Sequence, residues 1–212
     1  MTIHEIFKWL SGLLALAMYV PLVMVVIKRG GRGHSFAMWA LWAMLDTMAT
    51  VSLVIQDGNY ILTLGFSIGS VLMSALLLRR GQFKWGKLEW MVFLLVLLCL
   101  AVWAMTGPRG ATIAATLAII AAGTPGLVEI WRHPDSTATR VWAGFCIANL
   151  LALIGGERWS LEERFPPAAF TLQTLVMFIA GNRARLNRMC TRGSNHPLHY
   201  HTESPCAPES QD

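Results

Sequence analysis

Long apolar stretches separated by short polar ones organise the chain: residues 9–27, 36–55, 60–78, 90–105, 111–131, 141–156 and 165–182. A helix that crosses a bilayer needs roughly 20 predominantly apolar residues, so the pattern predicts an all-α membrane protein with seven transmembrane helices. The sixth stretch is short for a span and reads either as a full crossing or as a re-entrant segment. Polar residues are sparse within the stretches, and the second holds a carboxylate, Asp46, inside "FAMWALWAMLDTMATVSLVI". On a helix Trp39, Trp42 and Asp46 fall on one face, and Trp142, Phe145 and Asn149 in "WAGFCIAN" do the same further along the chain.

Composition agrees with this pattern. Of 212 residues, 55% are hydrophobic and 14% are charged, a balance outside the range of ordinary soluble domains. With seven spans, all the basic residues except Lys8, Arg109, Arg158 and Arg164 fall in the loops and tail on one side. That asymmetry is a positive-inside signal. It predicts an external amino terminus, a cytosolic carboxy terminus and, from the short loops, a bacterial inner membrane. The net charge of +5 then reports topology and basic loops facing anionic headgroups of the lipid bilayer, not binding of nucleic acid. The first stretch lacks a basic leader and a clear cleavage site and is expected to be retained as a span.

Several chemistries lack their parts. His4, His34, His133, His196, His199 and His201 all lie in loops or tails, so no intramembrane pair is available to ligate haem. HExxH and P-loop patterns are missing from the sequence, which argues against a zinc metalloprotease and an ATP-driven pump. No enzymatic activity, cofactor or metal is expected. Cys99 and Cys146 fall in spans, and Cys190 and Cys206 in the tail, without CxxC spacing. A structural disulfide is not expected.

The chain also resembles itself. The same interval separates Pro21 from Arg79 and Pro125 from Arg183, and "WALWAMLD" faces "WAGFCIAN" between them. In that register Ser67 and Ser70 fall on Thr171 and Thr174. These matches predict two parallel three-helix repeats joined by a linker helix, a 3+1+3 order. The expected divisions are 1–80 for the first repeat, 81–109 for the linker, 110–184 for the second repeat and 185–212 for a disordered cytosolic tail.

A proline late in the first helix, a short basic loop, "GHSFAMWALW" opening the second helix and the 3+1+3 order together resemble the PQ-loop superfamily of SWEET-like and Pnu-type membrane transporters. "WRHPDSTATRVW" is similar to a second PQ loop, although Leu22 and Gly126 stand where the glutamines would be. The resemblance implies a carrier for a small polar solute, such as a sugar, nucleoside or vitamin-like ring, working by alternating access between two triple-helix bundles. The alternative on the same scaffold is a membrane receptor or interaction protein without net transport. A homo-oligomer is compatible with both.

The candidate binding residues are Trp39, Trp42, Asp46, Ser67 and Ser70 from the first repeat and Trp142, Phe145, Asn149, Thr171 and Thr174 from the second. Two such faces meeting near the midplane would make a pocket with aromatic walls and a polar floor. The plainer account is that the tryptophans form an interfacial belt and Asn149 an interhelical hydrogen bond. An intramembrane carboxylate costs roughly 2.5–3.5 kcal/mol on insertion scales and does not face lipid, so Asp46 requires either a ligand or a polar partner. Pro21 and Pro125 each free a backbone carbonyl and act either as hinges or as static kinks.

Overall fold

The computed structural model describes residues 2–29, 36–81, 86–132 and 136–194; within these, the side chains of Arg29, Ala37, Leu88, Glu89, Val92, Pro125, Glu129, Arg132, residues 136–138 and the residues after Arg183 lie outside the description. The described residues form helices: α1 (Ile3–Arg29), α2 (Phe36–Ile55), α3 (Ile61–Arg79), α4 (Lys87–Arg132), α5 (Ser136–Gly155) and α6 (Leu161–Ser194). Four of these helices contain stretches long and apolar enough to cross a membrane: α1, α2, α3 and α4, with a shorter apolar run in α5 over Thr139–Gly155. The second apolar stretch of the sequence coincides with α2. α6 continues to Ser194, beyond the boundary expected at 185, and residues 195–212 lie outside the described residues.

Local chemistry sets several helix ends. Thr2 Oγ1 accepts from the Glu5 amide while the Glu5 carboxylate accepts from the Thr2 amide, a reciprocal cap for the first turn of α1. After α2, Asp57 adopts a left-handed φ of 51°. Its amide bonds the Val54 carbonyl, and the Gly58 amide bonds the Leu53 carbonyl, the paired closure of a Schellman turn. At the far end of α5, Arg164 donates to the carbonyls of Leu153 and Gly156 at 2.5 and 2.6 Å.

The long α4 is two arms. Gly107, with φ 74° and ψ −168°, occupies a region essentially reserved for glycine. The Cys99 thiol donates to the Ala114 carbonyl at 3.3 Å. In a straight helix those residues would be about 22 Å apart along the axis, so the second arm folds back on the first.

Packing groups the helices into two sets. In the first, α3 packs on both α1 and α2; in the second, α6 packs on both α4 and α5. The sets meet through α1 against α5 and α2 against α4, so the first helix of each set faces the second helix of the other. Small residues permit the closest crossing. A Cβ on Gly65 would lie 2.7 Å from the Gly12 carbonyl oxygen, which brings the backbones of α1 and α3 together, as is common where helices lack a hydrophobic drive to associate.

One end of the bundle is tied by charges. Lys8 of α1 pairs with Glu157 at 3.1 Å and with buried Glu163 at 3.5 Å, and Arg109, beside the α4 break, pairs with Glu162 at 2.8 Å. Arg158 lies 4.0 Å from Glu163 and also donates to the Asp57 carbonyl. Lys8 holds the Glu157 carboxyl below its ordinary value of 4.5 by hydrogen bond and charge. A backbone hydrogen bond, followed by Ser160 and Arg109, holds Glu162 down as well.

Because both folded values are depressed, the ionised carboxylates favour the folded state above about pH 4.5, and that contribution is lost as pH falls through the lower folded values. The thermal stability of the detergent-solubilised protein is therefore expected to fall in acid, with Lys8→Met flattening part of that dependence. Gly107→Ala is expected to cost about 1–3 kcal/mol through backbone strain. A Cβ there meets nothing within 4 Å, so an unchanged unfolding midpoint would show that the break is not held in this conformation.

Candidate functional site

The site grows from the problem of burying a carboxylate. Asp46, in the middle of α2, is 4% exposed. Ser70 of α3 donates to its Oδ2 at 3.2 Å. The Ser70 proton is thereby committed, so the Tyr19 hydroxyl is the donor in its 2.9 Å contact with Ser70 Oγ, and it also reaches the Phe66 carbonyl at 3.2 Å. Tyr19 comes from α1, so one chain of hydrogen bonds links three helices. Gly69 makes this possible, because a Cβ there would run into the Tyr19 ring.

Around Asp46 lies a cavity of about 50 Å³ where the two helix sets meet. Tyr19, Trp39, Trp42, Asp46 and Phe66 line it from the first set. Ile119, Trp142, Phe145, Phe170, Gln173 and Thr174 line it from the second. Neighbouring rings stand at steep angles: Trp39 to Trp42 at 89°, Trp42 to Trp142 at 86°, and Phe66 to Phe170 at 78°. Edge-to-face contacts of this kind are favourable, and they make the wall rigid without filling the space beside the carboxylate.

Of the residues singled out in the sequence, Trp39, Trp42, Asp46, Trp142, Phe145 and Thr174 line this cavity. Ser70 stands behind Asp46 as its hydrogen-bond donor. Ser67 pairs with Thr47 Oγ1 at 2.7 Å. Thr171 donates to the Pro167 carbonyl of its own helix. Asn149 is fully buried, and its amide donates to the Phe145 carbonyl one turn back; its Oδ1 has no protein partner. The cavity wall does not include Ser67, Asn149 or Thr171. Pro21 is accommodated within α1 and Pro125 within α4.

Tyr19, Phe66, Ile119, Phe170 and Gln173 join the site without having been marked by sequence. For two of them the signal was present: the register that aligns Ser67 with Thr171 also aligns Phe66 with Phe170. Gln173 was visible as an amide within an apolar stretch. Tyr19 and Ile119 carry no comparable signal, because an isolated tyrosine or isoleucine in a span is ordinary.

No family model, curated protein or solved structure matches the chain. The functional reading therefore rests on the chemistry of the cavity.

Ser70→Ala removes the donor to a buried carboxyl group, and the expected loss of stability is about 1–3 kcal/mol. The same change made in an Asp46→Leu background is expected to cost clearly less, because the group that needs the donor is gone. Unfolding of the four proteins of this double-mutant cycle in detergent measures the coupling. Additive effects would mean that the Ser70 bond contributes nothing to stability.

Proposed function

We propose that the chain is an integral membrane carrier for a small polar solute, with the cavity at Asp46 as its binding site. In this reading it is PQ-loop-like. The two arms of α4 supply the fourth and fifth of seven spans, and the sets α1–α3 and second arm–α6 are parallel repeats. The amino terminus faces outward and the basic loops face the cytosol. The observation that carries the reading is the cavity itself: a buried carboxylate and aromatic walls contributed by both helix sets at the surface where the sets meet.

Further features support it. Trp39 near the start of α2 and Trp142 near the start of α5 line the same cavity, as two repeats of the same orientation require. Each set is bound internally through its third helix and meets the other through two helix pairs, so the sets can rock as bodies around a site between them. The ion pairs of Lys8 and Arg109 draw one end of the bundle together, which is the arrangement of a carrier closed on that side. Prolines within α1 and the second arm of α4 each remove a helical hydrogen bond, placing a point of give at corresponding positions of the two sets.

Uptake of labelled sugars, nucleosides, vitamins and small amines into proteoliposomes tests this reading. A transported solute is expected to lose tenfold or more of its uptake rate in both Asp46→Asn and Trp42→Ala. Normal uptake by both variants would remove the cavity from the transport path. Saturable binding without uptake of any solute would favour a receptor on the same scaffold.

A further inference from the structure

We infer that the solute recognised by this cavity is a compact organic cation, an ammonium group, and not a sugar or a nucleoside. The inference rests on the cavity being a binding site and narrows its chemistry. Three properties of the wall lead to it.

Charge is the first. Among the described residues the wall contains one carboxylate, Asp46, and no lysine, arginine or histidine. Lys8, Arg109 and Arg158 are engaged at the bundle end with Glu157, Glu162 and Glu163. Asp46 instead receives a hydroxyl hydrogen bond from Ser70, and no described ion pair includes it. A cation brought beside it supplies the opposite charge that the fold leaves out, and in a water-poor site that attraction is large.

The second property is the aromatic wall. Seven of the lining residues are tyrosine, tryptophan or phenylalanine. Aromatic faces carry negative potential, attract ammonium groups most strongly where water is excluded, and repel anions.

Hydrogen-bond supply is the third. The Tyr19 hydroxyl is committed to Ser70 and the Phe66 carbonyl. Thr174 donates to the Phe170 carbonyl, and the Gln173 amide donates to the carbonyls of Ile119 and Ile120. Trp42 Nε1 remains as a buried donor without a protein partner. A polyhydroxylated solute brings acceptor oxygens that would find few donors here, and burying them unpaired is costly. An ammonium group brings no acceptor. Size is compatible: the cavity of about 50 Å³ holds roughly four water molecules at about 10–15 Å³ each, room for a compact ammonium head.

The decisive comparison is choline against 3,3-dimethylbutan-1-ol, its uncharged isostere, titrated into the full chain in lipid nanodiscs and read by tryptophan fluorescence. The wild-type protein is expected to bind choline at least tenfold more tightly than the isostere, and Asp46→Asn is expected to bring the two within about threefold. Equal affinity for the pair in the wild-type protein, or no binding of choline and tetramethylammonium, overturns the inference. The wild-type comparison decides alone if Asp46→Asn does not fold. Choline that binds selectively but is not taken up by proteoliposomes upholds the cation site and defeats the carrier. Uptake of glucose or uridine that choline does not compete does the reverse.

Discussion

Asp46 imposes a requirement that the surrounding helices are arranged to meet. A carboxyl group inside an apolar bundle must find a hydrogen-bond donor, because the cost of leaving it bare exceeds what nearby packing returns. The donor is Ser70, which itself receives the Tyr19 hydroxyl. Those three residues belong to α2, α3 and α1, so satisfying one group fixes the rotation of three helices relative to one another. Gly69 and the Gly12–Gly65 crossing follow from the same requirement: α1 must come close enough to α3 for Tyr19 to lie over a position with no side chain.

The second set of helices solves a milder version of the problem differently. Asn149 holds the place in "WAGFCIAN" that Asp46 holds in "WALWAMLD", but an amide can bond its own backbone, and it does so to Phe145. Thr171 and Thr174 likewise return to carbonyls of their own helix. At the position corresponding to Gly69, the second set carries Gln173, which reaches the cavity and the carbonyls of the second α4 arm. One set thus contributes the charge and the tyrosine, and the other contributes an amide and further aromatic wall. The result is one asymmetric site, not two equivalent ones.

Closure at one end and chemistry at the centre are built from different materials. Lys8, Arg109 and Arg158 face Glu157, Glu162 and Glu163 where the helix ends gather; Glu162 and Glu163 are buried, so removing a cationic partner would leave a buried carboxylate uncompensated. The centre has aromatic contacts and the hydrogen-bond chain from Tyr19 through Ser70 to Asp46.

The apolar runs and their spacing determined the helices: α2 appears with the boundaries of its hydrophobic stretch, and the polar "TGPRG" is where α4 turns back. The sequence also sufficed to put Trp39, Trp42 and Asp46 on one helix face and Trp142 and Phe145 on another, because helical periodicity is local. It did not determine which polar residues would meet. Asn149 and Asp46 hold matching places in "WAGFCIAN" and "WALWAMLD", yet Asp46 is served by Ser70, and the cavity is completed by Tyr19, Ile119 and Gln173. Hydroxyl and amide side chains in a helix always have a backbone carbonyl within reach one turn back. Whether each turns there, toward a neighbouring helix or into a cavity depends on how far the helices rotate and how closely they cross, and only the packed bundle sets those distances.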